Sequence, residues 1–368
     1  MNKVISIATV FSGIGAPEQA LNKLGVESKV VFACDNGEIE LDISSDEIKK
    51  QITNLGQKDK SSFVKDLYRK TGKHNYVKDS YFANYKIDEE DWYEDIRFLD
   101  GTKYKGNVDI FVGGSPCQSF SIIGKRFGLD DTRGTLFYDF ARLVKEIQPK
   151  VFIYENVPGM LAHDKGKTWE VIESVFNSLG YKISKSLLNS SNYGMPQNRK
   201  RLFVVGFKDR TVDFNFPEPI ELKTTLSDYL EKNNKVDPKH YLGEKGFKFV
   251  TSPKYKNRAR VNPLIIQTQK ANQQFNWNGD FVFVPFEEIK NNPQIMKRAY
   301  IGCWNNKRGA IRQLTYRECL RLMGFSDSFK IVVPNVPAYR QAGNSIVVNV
   351  LEELFKEILK DIGYYEQN

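Results

Sequence analysis

Runs of mostly apolar residues, each of strand length, recur through the N-terminal half of the chain at 4–10, 29–33, 108–112 and 151–154. Near-continuous apolar runs, rather than strict alternation, belong to strands buried on both faces, as in a parallel sheet. Between them the apolar residues take helical spacing. One such segment passes through Leu21 and Leu24 and stops at Gly25. A second, from Arg133 to Ile147, puts Leu136, Phe140, Leu143, Val144 and Ile147 on one face, and a third over 169–179 is closed by Gly180. Strands alternating with helices predict an α/β fold around a mostly parallel sheet. The runs at 183–188 and 202–207 are a candidate strand pair.

The pattern breaks twice. Residues 37–76 are rich in Lys, Asp, Glu and Ser, with scattered Ile48, Ile52, Leu55, Val64 and Leu67. This predicts one or two short amphipathic, solvent-facing helices inserted into the core fold. From about 220 to 310 periodicity weakens, and Asn, Gln, Lys and aromatic residues accumulate. That composition suits a small, loop-rich second domain reading a polar surface. Helical spacing then returns at 315–323, capped by Gly324, and at 346–359, opened by Tyr339 to Ser345. The last helix has a buried face and needs a large core, which the N-terminal sheet supplies. The expected domains are therefore 1–215 with an insertion at 37–76, then 216–310, then a segment 311–368 returning to the first.

Lys plus Arg number 54 against 45 Asp plus Glu, and this basic surplus favours a polyanionic partner, nucleic acid first. Cys34, Cys117, Cys303 and Cys319 form no CxxC pair and only 3 His are present, so no metal site is expected. Neither a signal peptide nor a membrane span is legible, and a cytoplasmic protein is expected.

Candidate chemistry gathers where the strands end. The run at 108–112 leads into Gly113-Gly114-Ser115-Pro116-Cys117-Gln118. Glycines let the chain turn close to a ligand, and Pro116 stiffens the backbone before the cysteine. Ligands of open α/β sheets bind beyond the carboxyl ends of the strands, which makes Cys117 a candidate nucleophile. An isolated loop cysteine is more often idle, and the loop alone does not decide. Phe11-Ser12-Gly13-Ile14-Gly15 follows the first strand and opens a helix, the layout of a nucleotide-type cofactor site or of a structural turn. Asp35 ends the second strand, where a carboxylate bonds ribose hydroxyls or caps a helix. Glu155 ends the strand at 151–154. Arg199 and Arg201, two apart at the start of a strand, are expected on one face, where both reach a ligand or both meet solvent-side carboxylates.

Phe11 to Gly15, Asp35, Asp95-Ile96, Pro116-Cys117-Gln118, Glu155-Asn156-Val157, Gln197-x-Arg199-x-Arg201 and Gly343-Asn344-Ser345 occur in this order. Together they resemble the motif series of the DNA cytosine-5 methyltransferases of bacteria and phages. Arg133-Gly134-Thr135-Leu136-Phe137 and Arg312-Gln313-Leu314-Thr315-x-Arg317-Glu318 are similar to further blocks of that family. The resemblance implies an S-adenosylmethionine-dependent methyltransferase (Rossmann-like) mixed sheet with a smaller, loop-rich target-recognition domain. It makes Cys117 the nucleophile that adds to carbon 6 of cytosine. Glu155 would serve ring nitrogen 3, Asn156 would orient the loop, and Arg201, secondarily Arg199, would hold oxygen 2. Phe11, Ser12, Gly13, Ile14 and Gly15, with Asn344 and Ser345, would hold the methionine part of S-adenosylmethionine. Asp35 would take the ribose, Asp95 the adenine amino group and Ile96 its face, with Pro116 and Leu136 completing the pocket. Asn36 departs from the apolar or aromatic residue many relatives place against adenine. The product is S-adenosylhomocysteine, and no metal is implied.

A cytosine inside duplex DNA cannot be reached, so the resemblance implies base flipping, with the loop at 121–132 closing over it. It implies a monomer acting on duplex DNA and leaves open a cognate restriction endonuclease acting separately. A transfer-RNA cytosine-5 methyltransferase of the same fold is the nearest rival. Its usual Cys-Phe-Thr tripeptide is absent, since Cys303 is followed by Trp304. Intact Cys117, Glu155 and Arg201 argue against a catalytically silent DNA-binding relative, and a dinucleotide oxidoreductase accounts only for the first strand, turn and helix.

Overall fold

The computed structural model describes residues 4–116, 136–272 and 277–365. Cys117, Gln118, the loop at 121–132 and the first three residues of the Arg133 block lie outside these. The chain begins β1 (Ile5–Val10), α1 (Ala16–Lys23), β2 (Ser28–Cys34), α2 (Ser45–Ile52), α3 (Gln57–Lys70), α4 (Tyr76–Asn84) and β3 (Trp92–Tyr93). It continues β4 (Ile110–Gly113), α5 (Leu136–Ile147), β5 (Val151–Asn156), α6 (Lys167–Ser178), β6 (Lys182–Asn189), β7 (Gln197–Asn198) and β8 (Lys200–Phe207). Then come α7 (Glu244–Thr251), β9 (Ala259–Val261), β10 (Ile266–Gln267), β11 (Gly279–Pro285), α8 (Phe286–Ile289) and α9 (Pro293–Arg298). The last elements are β12 (Gly302–Trp304), β13 (Lys307–Gln313), α10 (Tyr316–Arg321), α11 (Asn335–Asn344) and α12 (Val348–Asp361). No helix among the described residues is long and apolar enough to cross a membrane.

Two compact units result, one of Met1–Leu188, Lys200–Glu218 and Leu351–Asn368, the other of Asn189–Arg199 and Pro219–Val350. These limits differ from the expected 1–215, 216–310 and 311–368. Residues 189–199 go with the second unit because Gln197 is bonded into it. Its Nε2 donates to the Leu322 carbonyl at 2.9 Å, and its Oε1 accepts from the Gln269 N–H at 3.0 Å. The return to the first unit falls at Leu351 rather than 311, since α10 and α11 pack on each other in the second. Nor does 339–345 open the final helix: α11 ends at Asn344, and Ser345 is extended.

The first unit is a seven-stranded sheet in the order β3-β2-β1-β4-β5-β8-β6. β3, β2, β1, β4 and β5 are parallel and β8 runs antiparallel to β5. The mixed sheet thus has its switch point between β1 and β4, where connections leave in opposite directions and open a crevice. Its central strands β1, β4 and β5 are buried because they are largely apolar, and α5 adds Phe137, Phe140, Leu143, Val144 and Ile147 to the core. Phe111 and Phe140 stack with ring centres 5.0 Å apart. From the far end of the chain α12 contributes Leu351, Leu354, Phe355, Ile358 and Leu359, all fully buried, and Glu352 pairs with Lys23 of α1. The insertion forms α2 and α3, as the scattered apolar residues predict. α2 buries Ile48 and Ile52, and α3 buries Val64 and Tyr68 against Ile39, Leu41 and Phe98. They are not merely solvent-facing, since both bury apolar residues and α3 closes a small core of its own.

The second unit holds a four-stranded sheet, β12-β13-β11-β9, and a parallel β10-β7 pair. Leu242, Phe247, Val250, Phe281, Phe283 and Ile311 form its core. Much of its remaining chain runs in short turns, matching the weak periodicity of that region.

Candidate active site

The glycine turn after β1 is held from below by β2. The Ser12 N–H donates to the Cys34 carbonyl at 3.1 Å, the Cys34 N–H donates to Ser12 Oγ at 3.0 Å, and Thr9 Oγ1 donates to Ser12 Oγ at 2.8 Å. Phe11 takes a left-handed φ of 52°, a costly conformation for a bulky residue that the surrounding bonds must maintain. Gly15 has φ 75°, and a Cβ there would lie 2.2 Å from the Tyr85 ring, whose hydroxyl donates to the Gly15 carbonyl at 2.7 Å. Ile14 is buried beneath the turn.

Asp35, at the end of β2, accepts from the Gly13 N–H on Oδ2 at 2.9 Å and from the Gly37 N–H on Oδ1 at 2.8 Å. Burial raises its pKa against these two bonds. Each of its oxygens keeps a second lone pair, so the carboxylate fits ribose hydroxyls. Asn36 is spent locally, its Nδ2 donating to the Ile39 carbonyl at 3.0 Å and its Oδ1 accepting from the Glu38 N–H at 3.0 Å. Asn75 links the ends of β2 and β3, with Nδ2 3.0 Å from both the Asp35 carbonyl and Glu94 Oε2. Ile96 is buried, and Leu136 packs on the core at the start of α5. Asp95 lies just past β3. Its carboxylate is buried and taken by Arg97 at 2.6 Å and Tyr68 at 2.8 Å, an arrangement no motif signalled.

At the end of β4 the chain approaching Cys117 is clamped by β5. Asn156 Nδ2 donates to the Ser115 carbonyl at 2.9 Å, and the Tyr154 hydroxyl lies 2.5 Å from Ser115 Oγ. Pro116 is exposed beyond this clamp. Glu155 stands beside it, paired through Oε1 with Arg201 Nε at 3.1 Å. The antiparallel register sets β5 alongside β8, which brings Arg201 to the carboxylate. A Cβ on Gly114 would lie 2.7 Å from the Glu155 carbonyl and 3.0 Å from its Oε2. Gly114→Ala is therefore expected to displace Glu155 and lower kcat by about 10- to 100-fold, the loss that a misplacement of about 1 Å can bring. Steady-state kinetics beside a melting curve check this, as a loss of stability alone leaves kcat of the folded fraction unchanged.

Arg199 does not share a face with Arg201. The chain breaks between β7 and β8 at this residue, so strand alternation does not carry across it. Arg199 is buried in the second unit, where its guanidinium donates to the carbonyls of Gln269 at 3.0 Å, Gly343 at 3.1 Å and Ser345 at 2.8 Å. Asn344 and Ser345 lie in that same unit, at the end of α11. Gly343 is needed there because a Cβ would come 2.4 Å from the backbone of Lys270 and Ala271.

Burial pushes the Cys34 thiol well up, aided by the charges of Asp95, Asp35 and Glu94, and raises Cys319 likewise. Neither is a thiolate at neutral pH. Among the described residues no group of three or more His, Cys, Asp or Glu could hold a metal ion.

The profile of the C-5 cytosine-specific DNA methylase family matches residues 66–360. The type II methyltransferase M.HpaII of Haemophilus parainfluenzae is 36% identical over 271 residues, covering 69% of this chain and 73% of that protein. M.HhaI of Haemophilus parahaemolyticus is 34% identical over 264 residues, covering 70% and 77%. Among solved structures, the Dnmt2 methyltransferase of S. pombe superposes with a TM-score of 0.66 at 17% identity, over 97% of this chain and 99% of that one, a likeness of fold. The chain belongs to the C-5 cytosine-specific DNA methylases, a family of S-adenosylmethionine-dependent methyltransferases, and is a DNA (cytosine-5-)-methyltransferase.

Proposed function

We propose that this chain methylates carbon 5 of a flipped-out cytosine within one specific duplex DNA sequence, through a covalent adduct of Cys117 at carbon 6. The observation that carries this reading is the Glu155–Arg201 ion pair set against Gly114, three residues before Cys117 in the chain. Attack of the Cys117 thiolate on carbon 6 forms the C–S bond and drives the ring electrons toward nitrogen 3 and oxygen 2. Glu155 delivers a proton or hydrogen bond at nitrogen 3, and Arg201 offers cationic donors where negative charge develops. Carbon 5 becomes an enamine carbon and takes the methyl group, for which S-adenosylmethionine is the electrophilic donor and S-adenosylhomocysteine the leaving group. Water takes the carbon 5 proton, nitrogen 3 returns its proton to Glu155, and the C–S bond breaks, releasing the Cys117 thiolate and 5-methylcytosine.

Asn156 keeps the loop in place through Ser115, and Arg199 acts at a remove by tying 269 to 343–345. Phe11 to Gly15 and Asp35 would hold the methionine and ribose parts of the cofactor, Asp95 its adenine amino group and Ile96 its face, with Pro116 and Leu136 beside them. The loop-rich second unit would read the DNA. The same reading places the protein in the cytoplasm as a monomer, with any cognate restriction endonuclease acting separately.

The test offers methyl-labelled S-adenosylmethionine with duplex DNA and, separately, with transfer RNA. Label is expected in DNA only, and bisulfite sequencing of DNA from an expressing host should show protection of one recurrent sequence. Labelling of RNA alone would overturn the proposal.

A further inference from the structure

The insertion meets the cofactor end of the sheet at the Asp95 carboxylate, as well as through Asn75. Asp95 Oδ1 accepts from the Arg97 N–H at 3.0 Å and from Arg97 Nε at 2.9 Å. Oδ2 accepts from the Tyr68 hydroxyl of α3 at 2.8 Å and from Arg97 Nη2 at 2.6 Å. A carboxylate has about four lone-pair sites, and these donors fill them. The side chain is 4% exposed. Asp35, by contrast, keeps one lone pair on each oxygen. The residue expected to receive the adenine amino group has nothing left to receive it with.

We propose that the Tyr68 hydroxyl and the adenine amino group of the cofactor compete for Oδ2 of Asp95, so that the α2–α3 insertion tunes cofactor affinity. The inference rests on the S-adenosylmethionine assignment above. Exchange falls at Tyr68 and not at Arg97, because a neutral phenol holds a carboxylate less strongly than a two-pronged guanidinium. Arg97 is further anchored, with Nη1 donating to Ser45 Oγ of α2 at 2.6 Å. Tyr68 sits instead in a small core with Ile39 and Val64, edged by Leu41 and Phe98, where a modest shift of α3 suffices. Tyr68 is therefore a specificity residue supplied by the insertion.

Tyr68→Phe keeps the ring in that core and removes only the competing hydroxyl. Calorimetry with S-adenosylhomocysteine is expected to show Kd falling about fivefold, the worth of one hydrogen bond. S-inosylhomocysteine, which carries a carbonyl in place of the amino group, should bind parent and variant alike. Weaker or unchanged binding of S-adenosylhomocysteine by the variant would overturn the competition. A second reading uses the unaltered protein and so survives a variant that misfolds: hydrogen exchange over 57–70 should speed up when S-adenosylhomocysteine binds, and slower or unchanged exchange overturns the proposal. Failure of the unaltered protein to bind S-adenosylhomocysteine at all would instead bring down the cofactor assignment itself.

Discussion

Cys117→Ser is expected to lower methyl transfer to duplex DNA by about 10⁴-fold or more while S-adenosylmethionine affinity stays within about twofold. The size of the loss follows from chemistry. A serine hydroxyl is scarcely ionised at neutral pH, whereas a cysteine thiol is a few per cent thiolate and far more nucleophilic. No other cysteine near the sheet can substitute, because burial holds the Cys34 thiol protonated. The clamp of Asn156 on Ser115 and the Glu155–Arg201 pair do not depend on the sulfur, so the rest of the site should stand. Single-turnover methylation alongside calorimetric titration with S-adenosylmethionine separates the two quantities. A variant retaining even one per cent of the parental rate would show that Cys117 is not the nucleophile.

The second large effect concerns stability. Arg312 and Glu318 are both 0% exposed, joined by Nη1 to Oε2 at 2.9 Å and Nη2 to Oε1 at 2.8 Å. Glu318 also accepts the Thr315 N–H at the start of α10 and the Glu231 N–H, each at 2.8 Å, while Arg312 Nε donates to Asn233 Oδ1 at 2.9 Å. One buried pair thus fastens β13, α10 and the 231–233 segment. Glu318→Gln leaves a buried guanidinium without its counter-charge and should destabilise the second unit by about 3–5 kcal/mol. Replacing both partners, Arg312→Met with Glu318→Leu, should cost less than the sum of the two single replacements, because no stranded charge remains. Calorimetric unfolding of Arg312→Met, Glu318→Leu and the double variant forms the cycle, with Glu318→Gln measured beside it. A loss below about 1 kcal/mol for Glu318→Gln would mean that water or a neighbour relieves the charge.

The parallel strands were legible because burial on both faces leaves a plain mark, an uninterrupted apolar run such as that of β4 or β5. Asp35, Glu155 and the glycine turn were legible for a related reason, since each follows such a run directly and so falls on the same sheet edge. Arg199 was misread because alternation holds only within one strand, and the break between β7 and β8 leaves no sequence mark. Tyr68 could not be found at all. Its partner Asp95 is 27 residues away, across a turn and a helix, and nothing periodic connects an inserted helix to the strand end on which it docks. The late return to the first unit was hidden similarly, because the few apolar residues of α10 and α11, such as Cys319, Leu320, Ala338 and Ala342, suit either core.

The placement of α12 in the first unit has a consequence for how the enzyme comes into being. Strands and helices made first on the ribosome lack the layer that Leu351, Leu354, Phe355, Ile358 and Leu359 supply. Domains fold as units during synthesis, usually from the N-terminus onward. Here the earliest-made sheet must wait, with its apolar face uncovered, while the whole second unit is translated. A nascent chain is thereby kept inactive until α12 has emerged, and the interval is when this protein most needs a chaperone.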